Sequence, residues 1–452
     1  MSPLPRPRLT AAALLGGPLL GGPLLGGPLL GGPLPAAALH ALATRGSGPV
    51  SEVRSLLTGR PAATVPHSTP ADVFTAIATA ADAQRVWARR TERDRRAALA
   101  RLDRWITRHR THLGELLAHG FGLCGGDTAA ELRAAGRALR PGRRTVLPHV
   151  RGATRAARVR EPTRPRPAAS VATHTDDSRP LASLLEAAVP ALLDGSAVLS
   201  QVSPRAAVLA ARLCAAAVAA GLPAGIWRLV IAPPGSPTAA VLDEHAETVI
   251  PPCCPAPCPG ARRPGLLVVR HDARLRTAVA QAGRVCFSRA GQGCTAAPLV
   301  AVHDTHYGAF LRRLANLAAQ LPAGAPGARS SALSSLPGSG PCADFARFAR
   351  SIAHDARLHP VLTGGPRPDL APYLHEPVVA RTAPGPGPGP LPDPALLAAL
   401  PPGPLALVVR YTHWSDVLAL ARHTGRHTTL ITNGRSAHLA AQFPGPRPDD
   451  VH

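Results

Sequence analysis

Apolar residues recur at helical spacing through much of the chain. After Thr69-Pro70-Ala71-Asp72, the residues Val73, Ile77 and Ala81 mark one face, and Ser68 or Thr69 can cap the first turn, so a helix is predicted to open there and to run to Trp87. A second helix is predicted over 92–118 from Leu99, Leu102, Ile106, Leu113 and Leu117, and a third over 127–140 opening at Asp127-Thr128. Farther along, an apolar run ending at Val198-Leu199, a helix over Ala206–Ala220 and a strand at Arg228–Ile231 form a strand–helix–strand unit, which implies a parallel sheet. Leu299-Val300-Ala301-Val302 reads as a buried strand, and Phe310, Leu314, Leu317 and Leu321 follow it at helical spacing. Asp344–His359 reads as a surface helix and Val361-Leu362 as a strand entering the turn Gly364-Gly365.

Two stretches break this pattern. Residues 1–35 carry Arg6 and Arg8 and then four copies of Leu-Leu-Gly-Gly-Pro, and residues 384–390 alternate Pro and Gly. Gly and Pro at that density interrupt any continuous helix, so the first is read as a low-complexity segment rather than an export signal, and the second as an extended linker. No stretch reaches about 18 uninterrupted apolar residues, so no membrane-spanning helix is predicted.

Composition narrows the chemistry further. The 452 residues include 50 Lys plus Arg, all of them arginine, against 27 Asp plus Glu, for a formal net charge of +23. Without lysine there is no Schiff base, P-loop lysine or lysine general base. The arginines are densest over 85–110 and 133–160, and in the first of these they alternate with Glu92, Asp94 and Asp103, as on a solvated helix face. With no nucleic-acid-binding motif beside them, no specific nucleic-acid partner is expected. Eight cysteines in a chain this long do not form a disulfide scaffold. Cys253, Cys254 and Cys258 sit in a Pro-rich stretch flanked by His245 and His271 but lack a second ligand pair, so they read as a loop and not as a metal site.

One cysteine stands apart. Cys294 lies in Arg289-Ala290-Gly291-Gln292-Gly293-Cys294-Thr295-Ala296, among small residues and just before the buried strand, where a sulfur has room for a substrate. Gly291, Gln292, Cys294 and Ala296, with Tyr307 and Phe310 beyond the strand, resemble the nucleophile segment of the aldehyde dehydrogenase superfamily; Arg289 stands where that family has asparagine. The resemblance extends over about 70–440. It includes Trp87, Gly125, Ala130 and Glu131 in the N-terminal helices, Arg160-Glu161-Pro162, and Pro180-Leu181 through Gly195. It continues through the turn Gly221-Leu222-Pro223-Ala224-Gly225-Ile226, the strand from Gly403-Pro404 to Tyr411 and a helix at Asp416–Ala421.

The resemblance implies an α/β fold of two Rossmann-type parallel-sheet lobes with an N-terminal helical region. It divides the chain into a low-complexity segment 1–50, helices and a cofactor-type lobe over 51–265, a thiol lobe over 266–440 interrupted by the linker 383–393, and a tail 441–452. It implies oxidation of a small aldehyde through a Cys294 thiohemiacetal with NAD or NADP, Cys294 lying in a cleft between the lobes, a homo- or hetero-oligomer and a cytoplasmic location. The chain departs from the family at several points. Ser178 replaces the oxyanion asparagine, and Ser200-Gln201 replaces the segment holding the ribose lysine. The interval 251–263 carries no acidic residue where the base glutamate belongs, and Glu376 is upstream of the family's later acidic position. Activity is therefore expected to be weak or lost, the alternative being a non-catalytic scaffold paired with an active homologue. Arg289, if folded close, would favour the Cys294 thiolate.

Overall fold

The computed structural model describes residues 47–140, 167–250, 264–293, 295–328, 330–383, 392–424 and 428–432, with Leu439, Gln442 and Phe443. The Leu-Leu-Gly-Gly-Pro repeat, Ala157–Pro162, the Pro/Cys stretch 251–263 and the Pro-Gly linker 384–390 fall outside them.

In chain order the elements are β1 (Val50–Arg54), β2 (Pro61–Pro66), α1 (Pro70–Ala88), α2 (Glu92–Arg108), α3 (Arg110–Phe121) and α4 (Gly125–Leu139). There follow β3 (Val171–His174), α5 (Pro180–Asp194), β4 (Val198–Val202), α6 (Ala207–Ala219), β5 (Trp227–Ile231), α7 (Pro237–His245) and β6 (Thr248–Ile250). Then come β7 (Leu266–Val269), α8 (Leu275–Phe287), a 3-10 turn (Ser288–Gly291), β8 (Leu299–His303), α9 (Asp304–Ala319) and α10 (Ser339–Ser351). The last are β9 (Leu358–Leu362), β10 (Val378–Thr382), α11 (Pro394–Ala398), β11 (Leu405–Tyr411), α12 (Trp414–Arg422) and β12 (Thr428–Ile431). The described residues divide into two units, one within Met1–Ser55, Gly59–Phe121 and Ala129–Pro257, the other within Leu56–Thr58, Gly122–Thr128 and Cys258–His452.

The first unit holds the antiparallel hairpin β1–β2 and a four-stranded parallel sheet in the order β5-β4-β3-β6. Helix α1 opens with a capping box in which Thr69 accepts from Asp72 N and the Asp72 carboxylate accepts from Thr69 N. It buries Val73, Ala76, Ala80, Ala83 and Trp87. Trp87 closes the contact, its indole N–H donating to Leu192 O of α5 at 2.7 Å. Helix α5 has no side-chain cap of its own at Arg179. Its exposed amides are met instead by the fully buried Glu131 carboxylate, which accepts from Leu181 N at 3.1 Å and Ala182 N at 2.9 Å.

The second unit is built on a six-stranded sheet in the order β12-β7-β8-β11-β10-β9, parallel except for the edge strand β9, which runs antiparallel to β10. The side-chain period of two sends Leu266, Val268, Leu299, Ala301, Leu405 and Leu407 to one face, packed with Phe345 of α10 and Val417 of α12. Leu267, Val269, Val300, Val302, Ala406 and Val408 go to the other, against Ala278 and Val279 of α8 and Phe310 and Leu314 of α9. Both faces are covered, which is why these strands are continuously apolar rather than alternating.

The fold is the α/β class expected, with several differences in the elements. The helix expected over 92–118 is two helices, because the chain leaves α-geometry at His109, whose ring Nδ1 lies 2.8 Å from Trp105 O and competes for it. The helix expected over 344–359 ends at Ser351, whose hydroxyl donates back to Phe348 O at 2.8 Å, and the chain then turns on Asp355, which accepts from Arg357 N. Helix α8 and the β1–β2 hairpin are further elements that were not expected. Trp87 is fully buried and hydrogen-bonded, so Trp87→Ala should cost about 3–5 kcal/mol in urea unfolding. A midpoint that does not move would show that α1 contributes little to the fold of its unit.

Candidate active site

The segment ahead of β8 leaves α8 through a left-handed turn. Arg289 (φ 51, ψ 35), Ala290 (φ 51, ψ 37) and Gly291 (φ 66) are all in the left-handed region, and Arg289 and Ala290 are the only non-glycine residues with positive φ among those described. For an L-residue this conformation costs about 1–2 kcal/mol, so the surroundings must hold it. They do so from several sides. Asp127, buried at the start of α4, accepts from Arg289 N at 2.7 Å. Ala290 is packed into the core beneath the sheet. A Cβ on Gly291 would overlap the Gly403 carbonyl oxygen and lie 2.7 Å from its carbon, and a Cβ on Gly403 would overlap the Phe345 ring.

Beyond the turn, Gln292 N donates to Arg289 O at 3.0 Å, and its side-chain amide donates to Ala290 O at 3.2 Å. Ala296 N donates to Gly293 O, and Ala297 N to Val285 O, which would otherwise have accepted the next helical amide. The Ala296 carbonyl passes against Gly265, where any Cβ would overlap it. The backbone is thus fixed on both sides of Cys294. Cys294 itself is outside the described residues, as are Cys253, Cys254 and Cys258.

The four described cysteines form no disulfide with one another. Cys214 and Cys286 are enclosed, and burial drives both thiols far up; Cys286 Sγ also lies 3.1 Å from Ala297 O. Cys124 is pushed up by burial and by the adjacent Asp127 carboxylate, to which its thiol donates at 3.4 Å. Burial also raises the half-buried Cys342. None of the four is poised as a thiolate.

In the first unit the positions of interest lie at the carboxyl ends of the parallel strands, where open α/β sheets bind ligands. Ser178 is buried there, and its hydroxyl donates to Asp176 Oδ2 at 2.8 Å, so its proton is committed. Ser200 is fully buried between Thr173 and the Trp227 indole N–H. Gln201 donates its amide to Ala232 O, and its oxygen lies 3.3 Å from His174 Nδ1; the other ring nitrogen lies 2.8 Å from Asp243. Ser203 donates to Asp177. At the start of α7, Pro237 has no amide hydrogen and Ser236 already accepts from Ala239 N.

These residues do not fit an anionic dinucleotide. The side chain at the ribose-lysine position is neutral, buried and bonded to Ala232 O and His174, and the loop after β3 carries two acidic side chains, Asp176 and Asp177, whose charge opposes an anionic ligand. The interval 251–263 is outside the described residues. In the second unit, Glu376 is ion-paired with Arg367 at 2.9 Å, and Arg367 also pairs with Asp369, so Glu376 is not a standing base. Among the described residues no cluster of His, Cys, Asp or Glu can hold a metal, and no helix is long and apolar enough to cross a membrane. Asp127 was expected only as a helix opener; nothing in the sequence signals its bond to a residue 162 positions away.

Comparison with known proteins agrees with the fold. A sequence model of the aldehyde dehydrogenase family matches residues 44–249 and 265–426. The chain belongs to that family. It is 28% identical over 308 residues to a vanillin dehydrogenase of Amycolatopsis sp., a match covering 62% of each protein, so the chain spans less than two thirds of that relative's length. It is 26% identical over 373 residues to a putative succinate-semialdehyde dehydrogenase [NADP(+)] of Mycolicibacterium smegmatis, covering 76% of this chain and 69% of the relative. Among solved structures, an NAD-dependent benzaldehyde dehydrogenase from Corynebacterium glutamicum superposes with a TM-score of 0.69 at 20% identity, covering 89% of this chain and 92% of that one. Family members use NAD or NADP.

The two glycines flanking Gln292 should respond differently to a methyl group. At Gly291 the conformation and the Gly403 overlap act together, so Gly291→Ala should cost about 2–4 kcal/mol. At Gly293 the nearest atoms to a Cβ are 3.9 Å away and φ is not positive, so Gly293→Ala should stay within about 0.5 kcal/mol of wild type. Equal losses in denaturant unfolding of the two variants would contradict the turn described.

Proposed function

We propose that the chain is an aldehyde-handling oxidoreductase in which Cys294 is the nucleophile and nicotinamide-linked turnover is weak. The observation that carries this is the left-handed turn Arg289–Gly291, which fixes the backbone leading into Cys294 at a strain that the rest of the unit is built to hold. The Cys294 thiol gives up its proton to water and the thiolate sulfur adds to the carbonyl carbon of a small aldehyde. The C=O π pair moves to oxygen, and that oxygen takes a proton from water to give a thiohemiacetal. The Ser178 hydroxyl, which stands at the family's oxyanion-asparagine position, has its proton held by Asp176, so that position offers no free side-chain donor.

Oxidation past that adduct needs a hydride acceptor, and NAD or NADP is the group named for the relatives. The contacts at Gln201, Ser178 and Asp176–Asp177 are the reason turnover is low. The domain division is taken as thiol chemistry in 266–440 and a cofactor-type lobe in 51–265, with the segments 1–50 and 441–452 outside both. A cytoplasmic location and assembly into a homo- or hetero-oligomer are taken from family membership. A second reading, a non-catalytic partner of an active homologue, is favoured by the internal hydrogen bonds that occupy Ser178 and Gln201.

Iodoacetamide labelling read by peptide mapping, alongside an assay for NADH and NADPH with a panel of aldehydes, separates the readings. Cys294 should label at least about tenfold faster than Cys214 and Cys286, which lack thiolate character. Reduced cofactor should form slowly and only while Cys294 is present, Cys294→Ala abolishing it. Rapid turnover would show that the cofactor site works despite its substitutions; labelling of Cys294 no faster than Cys286 would leave the scaffold reading.

A further inference from the structure

Asp127 is the one buried carboxylate among the described residues that reaches the thiol segment. Its Oδ2 accepts three donors: Arg289 N at 2.7 Å, the Ser334 hydroxyl at 2.6 Å and the Cys124 thiol at 3.4 Å. Ser334 Oγ in turn accepts from Cys124 N at 2.9 Å, so the carboxylate is located from the start of α4 and from the 330s loop together. All four residues belong to the second unit.

The Arg289 amide needs this acceptor for a plain geometric reason. Helix α8 ends at Phe287, and the Ser288 amide makes the last helical bond, to Arg284 O. The next acceptor in the ladder, Val285 O, is taken by Ala297 N. The extended ψ of Ser288 (φ −59, ψ 143) turns the Arg289 N–H out of the helix, where Asp127 receives it as the left-handed turn begins. A carboxylate is the strongest acceptor a side chain offers to a backbone amide.

We propose that Asp127 is a positioning residue for the nucleophile: by holding the Arg289 amide it keeps the Arg289–Gly291 turn in its left-handed form and so sets the approach of the chain to Cys294. This rests on Cys294 being the reacting thiol. The action assigned to Asp127 passes through the backbone from Arg289 to Gly293. Asparagine retains a carbonyl oxygen able to accept from Arg289 N, whereas alanine retains nothing.

The test uses the full chain with Asp127→Asn and Asp127→Ala, and two readouts. The first is the rate of Cys294 alkylation by iodoacetamide across about pH 6 to 9. Asp127→Ala should slow it by about tenfold at every pH, since a small displacement of a reacting group is enough for such a loss. Asp127→Asn should stay within about twofold of wild type. Cys286 should remain protected in both variants, reporting an intact core. The second readout is hydrogen exchange of the Arg289 amide, which should quicken by about tenfold or more in Asp127→Ala and much less in Asp127→Asn.

Equal alkylation rates in wild type and Asp127→Ala, or an asparagine variant as impaired as the alanine one, would overturn the proposal. If Asp127→Ala does not fold, the asparagine variant alone decides through the same two readouts. If Cys294 is unreactive in wild type while Arg289 exchange still depends on Asp127, the nucleophile assignment has failed and the proposal falls with it as a statement about catalysis. Exchange independent of Asp127 in a protein with a reactive Cys294 refutes the positioning role alone.

Discussion

A chain that passes through three successive left-handed residues, two of them with side chains, stays that way only where neighbouring groups leave it no relaxed alternative. At Arg289–Gly291 those neighbours are a buried carboxylate, a glycine carbonyl and a packed aromatic ring. The turn decides how the chain moves from α8 to β8, and β8 is an interior strand with β7 on one side and β11 on the other. A different exit from α8 would change which residue of the following strand begins the pairing with Leu266 and Leu407, and a shift by one would turn Val300 and Val302 to the opposite face. The register of the six-stranded sheet and the placement of the thiol segment therefore share one local constraint.

That constraint explains what was legible beforehand. The strand at Leu299–Val302 and the helix after it show in the apolar pattern because both faces of the sheet are covered, and a continuous apolar run bounded by Pro298 and His303 has few other readings. The βαβ unit at Val198–Ile231 was readable for the same reason. The break at His109 was not: apolar spacing continues from Ile106 to Leu113, and what divides the helix is a ring nitrogen beside one carbonyl. Nor did the pattern separate α10 from β9, where Ser351 and Asp355 redirect the backbone through local hydrogen bonds that carry no periodic signal. Asp127 was visible as a residue at a helix start. Its partner across 162 positions exists only in the folded chain.

In the cofactor-type unit the backbone and the side chains point in different directions. Four parallel strands in the order β5-β4-β3-β6 create the kind of crevice at the carboxyl edge that dinucleotides occupy in open α/β sheets. The side chains there have instead turned to one another. Gln201 links Ala232 to His174 and, through it, to Asp243; Ser178 and Ser203 serve Asp176 and Asp177. Each bond satisfies a polar group close to the sheet, and each removes a donor that a phosphate or ribose would need. A crevice built on the backbone persists through such changes because strand order depends on the buried aliphatic faces and not on what lines the edge.

This difference decides how much weight each feature can carry. Gly265, Gly291 and Gly403 are required by close backbone approaches, so they would be kept by the fold of the unit whether or not a thiol reacts there. The glycines around Cys294 are thus weaker witnesses to chemistry than their place in the motif implies. Ser178, Gln201 and Arg289 all differ from the family's residues at their positions. At Arg289 the backbone is left-handed and its amide is held by Asp127. What the second unit holds is accordingly main-chain geometry, a left-handed turn fixed by Asp127 and by the close approach of Gly291 to Gly403. In the first unit, by contrast, Ser178 and Gln201 spend their side-chain donors on Asp176 and Ala232.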